Sequence, residues 1–308
     1  MPVSESYKGV FPIVPTPFFE NQEIDFESQR RVIDCIIDQG VDGLCILANY
    51  SEQFLLSDEE RNQLLTVCLN HVNGRVPVVV TCSNFSTKIA IERAKKAVDL
   101  GAKMLMFMPP YHGAELRADE RGIFEHFEEI SLSVNVPIMV QDATLSGVPL
   151  RTEFLKYLVN EIEHVKFMKI EVPNTADKIR DLNSNKIACS VSIFDGENSI
   201  TLWDNLRSGA IGTMPSAMFP ELLRVVVDKY DSHEFKTASI AFNNLVPLIN
   251  FELHQCGIQG VKTLMKEGGV INSDIVRHPL PAMHSTTREE LIRIAREYDL
   301  LVLKWGKG

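Results

Sequence analysis

Residues 76–110, "VPVVVTCSNFSTKIAIERAKKAVDLGAKMLMFMPP", decide the fold. The run opens with "VPVVVTCS", short, β-branched and almost without polar alternation, which reads as a strand covered on both faces. "STKIAIERAKKAVDLG" follows, with Ala90, Ala94, Ala97 and Val98 on one stripe and a glycine at its end, the pattern of an amphipathic helix. "KMLMFMPP" is then a second strand of the first kind. Strands buried on both faces and separated by helices belong to a parallel sheet.

The same unit recurs on both sides. Strand-like runs start at Gly9 ("GVFPIVPTPF"), Asp42 ("DGLCILA"), Val136 ("VPIMVQDA"), Val165 ("VKFMKIE"), Cys189 ("CSVSIF") and Gly209 ("GAIGTMPSA"). Helical patterns stand between them. "DFESQRRVIDCIIDQG" aligns Val32, Ile33, Ile36 and Ile37, and "SDEERNQLLTVCLNHVNG" opens with Ser57 and Glu60 spaced as a capping box. Eight strand–helix units, each ~20–35 residues long, predict a (β/α)8 TIM barrel. The competing open, doubly wound sheet lacks its dinucleotide fingerprint after the first strand. The expected division is a barrel core over 1–217, followed by the last barrel helix and a C-terminal helical extension over 218–308.

Composition narrows the function. The 308 residues carry a formal charge of -10 with no basic face, which argues against a nucleic-acid partner. No run approaches the ~20 apolar residues of a membrane span, and "MPVSESYKGVF" has no apolar signal core. The six cysteines are scattered without a C-x-x-C pair, so reduced thiols in a cytoplasmic protein are expected. No metal-ligand spacing is present.

Within this plan "HVKFMKIEVP", residues 164–173, contains two lysines in an otherwise buried strand. Alternation puts Phe167, Lys169 and Glu171 on one face and Lys166, Met168 and Ile170 on the other. Lys169 falls late in the strand, near the C-terminal rim where barrels of this kind keep their chemistry. An amine stripped of water there is a nucleophile for carbonyls. Alternatively, Lys169 is a structural ion-pair partner.

The strand-six lysine, "VPTPF" in strand one and "MPPYHG" after strand four resemble the dihydrodipicolinate synthase and N-acetylneuraminate lyase family over essentially the whole chain. The resemblance implies a homotetrameric barrel, a dimer of dimers, that joins a small 2-keto acid to Lys169 as a Schiff base without cofactor or metal. It places the keto-acid carboxylate at the loop after strand two, here "ANYSEQ", hence at Asn49, Tyr50 and Ser51. Strand five should end in a tyrosine. "IMVQDATLSG" is expected to put Val140 there, followed by Gln141 and Asp142, and Leu145 in place of the arginine of dihydrodipicolinate synthases. Those departures make that synthesis an unlikely activity. Tyr50 and His112 are then the expected proton carriers, Gln141 and Glu197 substrate contacts, and Glu171 a charge that orients the lysine. Asp142 is expected in a cap or turn, and Lys262 at the surface or in ordinary packing; His278 and His284 are expected in loops.

"GLCILANYSEQ", "PIMVQDA", "KIE", "DGE" and "LMKEGGVI" together resemble one branch of that family, which dehydrates 2-keto-3-deoxy sugar acids such as L-2-keto-3-deoxyarabonate to 2,5-dioxopentanoate. The expected activity is therefore that of a Schiff-base hydro-lyase. A class I aldolase releasing pyruvate, an imino-acid deaminase and a non-catalytic keto-acid sensor are the alternatives.

Overall fold

The computed structural model describes residues 7–111, 118–184 and 191–307. Eight strands alternate with helices in the manner of a (β/α)8 barrel, and three further helices follow. The chain divides into two compact units, one of residues 1–8 and 78–214 and one of residues 9–77 and 215–308.

The first unit holds strands β3 to β8. These are β3 (Val78–Thr81), β4 (Met104–Phe107), β5 (Ile138–Ala143), β6 (Val165–Glu171), β7 (Ser192–Asp195) and β8 (Gly212–Thr213). They pair in chain order and all in parallel. Every residue of β3, β4 and β5 is buried, as the uninterrupted apolar runs predict. Helices α3 (Thr87–Asp99), α4 (Glu120–Ser133), α5 (Thr152–Glu161), α6 (Thr175–Leu182) and α7 (Leu202–Arg207) fill the connections. In α3 the small residues Ala90, Ala94 and Ala97 are the buried ones, which brings that helix close to its neighbours. The carboxylate of Asp119 caps α4 by accepting from Gly122 N at 2.8 Å.

The second unit holds β1 (Gly9–Val10) and β2 (Leu44–Ile46), with α1 (Phe26–Asp38), α2 (Asp58–Val72) and α8 (Pro220–Asp231). Strand one is shorter than its apolar run: only two residues are strand, and Ile13 continues it as a single parallel bridge to Cys45 and to Ser216. The prolines at 12, 15 and 17 cannot donate to a ladder, which explains the interruption. The predicted capping box of α2 is present, with Ser57 accepting from Glu60 N and Glu60 accepting from Ser57 N.

The tail consists of α9 (Phe235–Phe251), a π-helical turn over Glu252–Cys256, α10 (Ile258–Glu267) and α11 (Ser285–Arg296). The N-cap of α11 is His284, whose Nδ1 accepts from Thr286 N. That histidine was expected in a loop, and it lies just outside the helix with an extended backbone, as its cap. The five described cysteines are free thiols. Among the described residues no helix is long and apolar enough to cross a membrane.

Gly43 leads into β2, and a Cβ there would stand 2.0 Å from the fully buried Phe11 ring. Overpacking of that kind costs about 1–3 kcal/mol. Gly43→Ala is expected to lower the thermal midpoint, whereas Gly122→Ala in α4, where the nearest atoms stand at 3.4 and 3.5 Å and φ is not positive, meets only ordinary contacts. Parallel melts of the two variants check the difference.

Candidate active site

Lys169 stands two residues from the end of β6 and is 4% exposed. Its Nζ lies 3.1 Å from Glu171 Oε1. Two-residue spacing on one strand puts both side chains on one face, so the ion pair follows from the alternation read in the sequence. Gln141 Nε2 donates to the same Oε1, and the backbone N–H of Glu197 approaches Oε2 at 3.4 Å. The Glu171 carboxylate is thus held from β5, from β6 and from the turn after β7. It is no longer free to move with solvent, and it places one oxygen beside the amine. Gln141 Oε1 is buried and has no hydrogen-bond partner among the described residues. An unpaired buried acceptor costs about 1–3 kcal/mol, and a ligand hydroxyl would relieve it.

The register corrects one expectation. Lys169 pairs laterally with Gln141 on β5, while Val140 pairs with Met168. Neighbouring residues of a parallel pair share a face, so Gln141 is the residue that β5 turns toward the amine's side. Val140 belongs to the other side and cannot stand where a proton relay to that amine must stand. Asp142 is also not a cap or turn residue. It lies buried one residue before the end of β5 and pairs with Lys178 of α6 at 2.5 Å, and Lys178 donates as well to Leu150 O. Burial raises the Asp142 carboxyl above the usual range, opposed by the hydrogen bond from Lys178.

The turn after β7 could not be read from the sequence. Glu197, Asn198 and Ser199 take φ of 47°, 55° and 67° in succession. Left-handed residues other than glycine occur singly as a rule and cost about 1–2 kcal/mol each, so three in a row must be held by their surroundings. Gly196 precedes them because a Cβ there would stand 2.1 Å from Glu171 Cγ. The Glu197 side chain itself is exposed. Tyr111 is half-buried, and burial pushes its phenol up to about 12.

In the second unit, the loop after β2 forms two 3-10 turns, one over Gln53–Leu55 and, before it, one over Asn49–Ser51. It is flanked by Leu47 and Glu52, both at φ 57°. A β-carbon in the left-handed region is strained, doubly so for a leucine. Ser51 Oγ donates to Val14 O at 2.6 Å and accepts from Ala48 N, while Thr16 donates to Ser51 O. The hydroxyl proton of Ser51 is therefore committed to the backbone, and Asn49 Oδ1 accepts from Gln53 Nε2. Tyr50 is half-buried within the turn. His112 lies outside the described residues.

Lys262 corrects a second expectation, because it is neither a surface residue nor ordinary packing. It is 0% exposed in α10, and its Nζ donates to Glu52 Oε1 and to Ile275 O. Glu52 Oε2 accepts from Arg277 N at 2.8 Å. The ring of Phe18 has the Lys262 ammonium 4.5 Å and the Arg277 guanidinium 4.4 Å from its centroid. Arg277 in turn forks onto Glu60 at 2.6 and 2.8 Å. Burial lowers the Lys262 ammonium below its ordinary value, opposed by the charge of Glu52. The signal was present as "GVKTLMK", where Lys262 sits among apolar residues, but helical spacing alone did not show a partner 210 residues away.

No group of three or more His, Cys, Asp or Glu is placed to hold a metal ion among the described residues. Residues 6–298 match the dihydrodipicolinate synthetase family, and the chain belongs to that family. It is 46% identical, over 97% of both chains, to L-2-keto-3-deoxyarabonate dehydratase of Azospirillum brasilense. It is 26% identical to 4-hydroxy-tetrahydrodipicolinate synthase of Methanococcus aeolicus, over 96% of this chain and all of that one. Among solved structures, dihydrodipicolinate synthase from Rhodopseudomonas palustris superposes with a TM-score of 0.86 at 25% identity, over 94% of this chain and 97% of that one. The Thermotoga maritima enzyme of the same name gives 0.87 at 24%, over 95% and 98%.

Removing one member of a buried ion pair leaves an uncompensated charge and costs about 3–5 kcal/mol. Lys262→Met is expected to lower the urea midpoint by a corresponding amount, and adding Glu52→Gln to restore much of it. Equal midpoints for Lys262→Met and the unsubstituted protein would show that the pair contributes nothing.

Proposed function

We propose that this member of the dihydrodipicolinate synthetase family is a Schiff-base hydro-lyase that dehydrates a 2-keto-3-deoxy sugar acid, L-2-keto-3-deoxyarabonate, to 2,5-dioxopentanoate. The observation that carries the reading is the buried Lys169 amine with the Glu171 carboxylate fixed 3.1 Å away. The likeness to the Azospirillum dehydratase over nearly the full length selects dehydration among the reactions such a pair can run.

Lys169 passes its extra proton to Glu171 and attacks C2 of the keto acid; Glu171 returns that proton to the departing C2 oxygen, water leaves and an iminium forms. The iminium withdraws electrons from C3 and acidifies its protons. C3 is two bonds from Nζ, so an oxygen that touches the amine can also reach a C3 proton. Glu171 takes that proton and an enamine results. The enamine's electron pair then expels the C4 hydroxyl, which leaves as water with the proton returned by Glu171. Loss of a proton from C5 and return of one to C3 move the double bond toward the C5 hydroxyl, which becomes an aldehyde by tautomerisation. Hydrolysis of the imine frees 2,5-dioxopentanoate and Lys169. One water is lost overall.

In this scheme Gln141 has two tasks. Its amide N–H holds Glu171, and its unpaired Oε1 is an acceptor for a hydroxyl of the substrate. By the family resemblance, Asn49, Tyr50 and Ser51 are proposed to hold the keto-acid carboxylate, with the Ser51 hydroxyl acting as a tie within the turn. Glu197 is proposed to touch the far end of the sugar acid, and Tyr50 and His112 remain proposed proton carriers in addition to Glu171. Glu171 thereby takes over work first expected of a tyrosine. A cytoplasmic homotetramer is proposed on the same resemblance.

Borohydride with 2-keto-3-deoxyarabonate is expected to trap an adduct on the peptide containing Lys169, and Lys169→Ala to abolish both adduct and turnover. Glu171→Gln is expected to keep the adduct and lose turnover by about 10²–10⁴-fold, the size of general acid–base help. Mass spectrometry and product analysis check both. Pyruvate in place of 2,5-dioxopentanoate would make the enzyme an aldolase, and ammonia release from an imino acid would make it a deaminase.

A further inference from the structure

Asp195 is the last residue of β7 and is completely buried. It lies two positions before Glu197 and has no place in the chemistry above. Its register neighbours are Ile170 of β6 and Thr213 of β8, so it shares the face of Ile170 and not that of Lys169. A buried carboxylate on that face is expensive unless its oxygens are satisfied, and here three donors reach it. Thr213 Oγ1 donates to Oδ2 at 2.7 Å, and Thr201 Oγ1 and Asn205 Nδ2 donate to Oδ1 at 2.8 and 2.6 Å. Thr213 has then used its proton, so at 2.6 Å it accepts from the hydroxyl of Ser199.

These bonds enclose the strained turn. Asp195 stands before it, Thr201 follows it, and Ser199 is its last left-handed residue. One carboxylate therefore ties both ends of the segment Gly196–Ile200, directly through Thr201 and by way of Thr213 through Ser199. Within the segment, Ser199 N donates to Gly196 O at 3.0 Å. Three consecutive residues with positive φ will not hold themselves, and relaxation of any one would rotate the preceding peptide. The peptide N–H that would rotate away is that of Glu197, the donor to Glu171 Oε2. Gly196, against which Glu171 Cγ packs, would move with it.

We propose that Asp195 is a positioning residue for proton transfer at Glu171, acting through the left-handed turn Glu197–Asn198–Ser199 that its hydrogen bonds hold closed. The inference rests on the imine reading given above. It concerns the step after imine formation and not the imine itself, because Lys169 takes no hydrogen bond from the turn. A titration accompanies it. Burial pushes the Asp195 carboxyl up to about 7, opposed by its hydrogen bonds and by the charge of Lys169. Lys169 on β6 is the charged group that acts on it; the partners from the turn, α7 and β8 are hydroxyls and an amide. Protonated Asp195 must donate at one oxygen, which reverses the Thr213 bond and the Thr213–Ser199 bond behind it and removes the charge that strengthens the hold on the turn. Proton transfer at Glu171 should therefore weaken as pH falls through about 7.

Pyruvate separates the two steps, since it can form the imine and exchange its methyl protons but has no hydroxyl to lose. The full-length protein is incubated with pyruvate in D2O. Imine is measured by borohydride trapping and the mass of the Lys169 peptide, and exchange by proton NMR of the methyl group. Asp195→Asn is expected to trap as much imine as the unsubstituted protein and to exchange at least about tenfold more slowly per imine. Its exchange per imine should also lack the acidic limb near 7 that the unsubstituted protein shows. Ser199→Ala removes one link with little disturbance. It should slow exchange by about threefold, the scale of a single hydrogen bond, with intact trapping. Its thermal midpoint should move by no more than about 4 °C. Should Asp195→Asn not fold, Ser199→Ala decides the question alone. Unchanged exchange per imine in the folded variants overturns the proposal, as does a fall in trapping that matches the fall in exchange. Failure of the unsubstituted protein to trap pyruvate would instead overturn the imine reading on which it rests.

Discussion

The pairing of Lys169 with Glu171 is the constraint that organises the first unit. Two charges in a place almost closed to water are tolerated only if each is compensated and the remaining lone pairs are filled. The protein meets this demand with a carboxylate that receives the amine, a side-chain amide from β5 and a peptide N–H from the turn after β7. The same contacts that make burial affordable fix the carboxylate beside the atom where an imine would form. Stability of the buried pair and preparation for the proposed proton transfer are one arrangement.

Around it, the ends of the strands carry the strain. Strands buried on both faces place polar groups most readily near their ends, and Gln141, Asp142, Lys169, Glu171 and Asp195 fall toward the C-terminal ones. Alternation then sorts them. Gln141, Lys169 and Glu171 turn to one side and make the candidate catalytic cluster. Asp142 and Asp195 turn to the other, toward helices, where each finds partners in the helix that follows β6 or β7: Lys178 for Asp142, and Asn205 for Asp195. The candidate catalytic face is thus backed by a second layer of partnered carboxylates, with Asp142 Oδ1 the one of their oxygens that has no hydrogen-bond partner among the described residues.

The second unit repeats the principle with a different pair. Glu52 closes the short turn after β2 in a left-handed conformation, and Lys262 and Arg277 from the C-terminal tail hold its two oxygens. A helical extension that looks dispensable beside eight βα units therefore anchors the loop that carries Asn49, Tyr50 and Ser51. This gives the tail a physical reason to exist within that unit: it supplies the buried cation that the loop's carboxylate requires.

The sequence alone determined the parts of this protein that depend on local pattern. Uninterrupted apolar runs, amphipathic stripes and the capping box at Ser57 and Glu60 were enough for the order of strands and helices, and two-residue spacing was enough to join Lys169 to Glu171. What failed needed distances between residues far apart in the chain. Gln141 rather than Val140 faces the amine because of how β5 registers against β6, and one residue of register exchanges the two faces of a strand. Lys262 is buried because Glu52 lies in a distant loop. The left-handed turn at Glu197–Ser199 has no glycine within it to announce it and exists because Asp195, Thr201 and Thr213 close around it. Periodicity is written in neighbouring residues, whereas register, charge pairing and backbone strain are set only when separate segments meet, and those were decided by the tertiary structure.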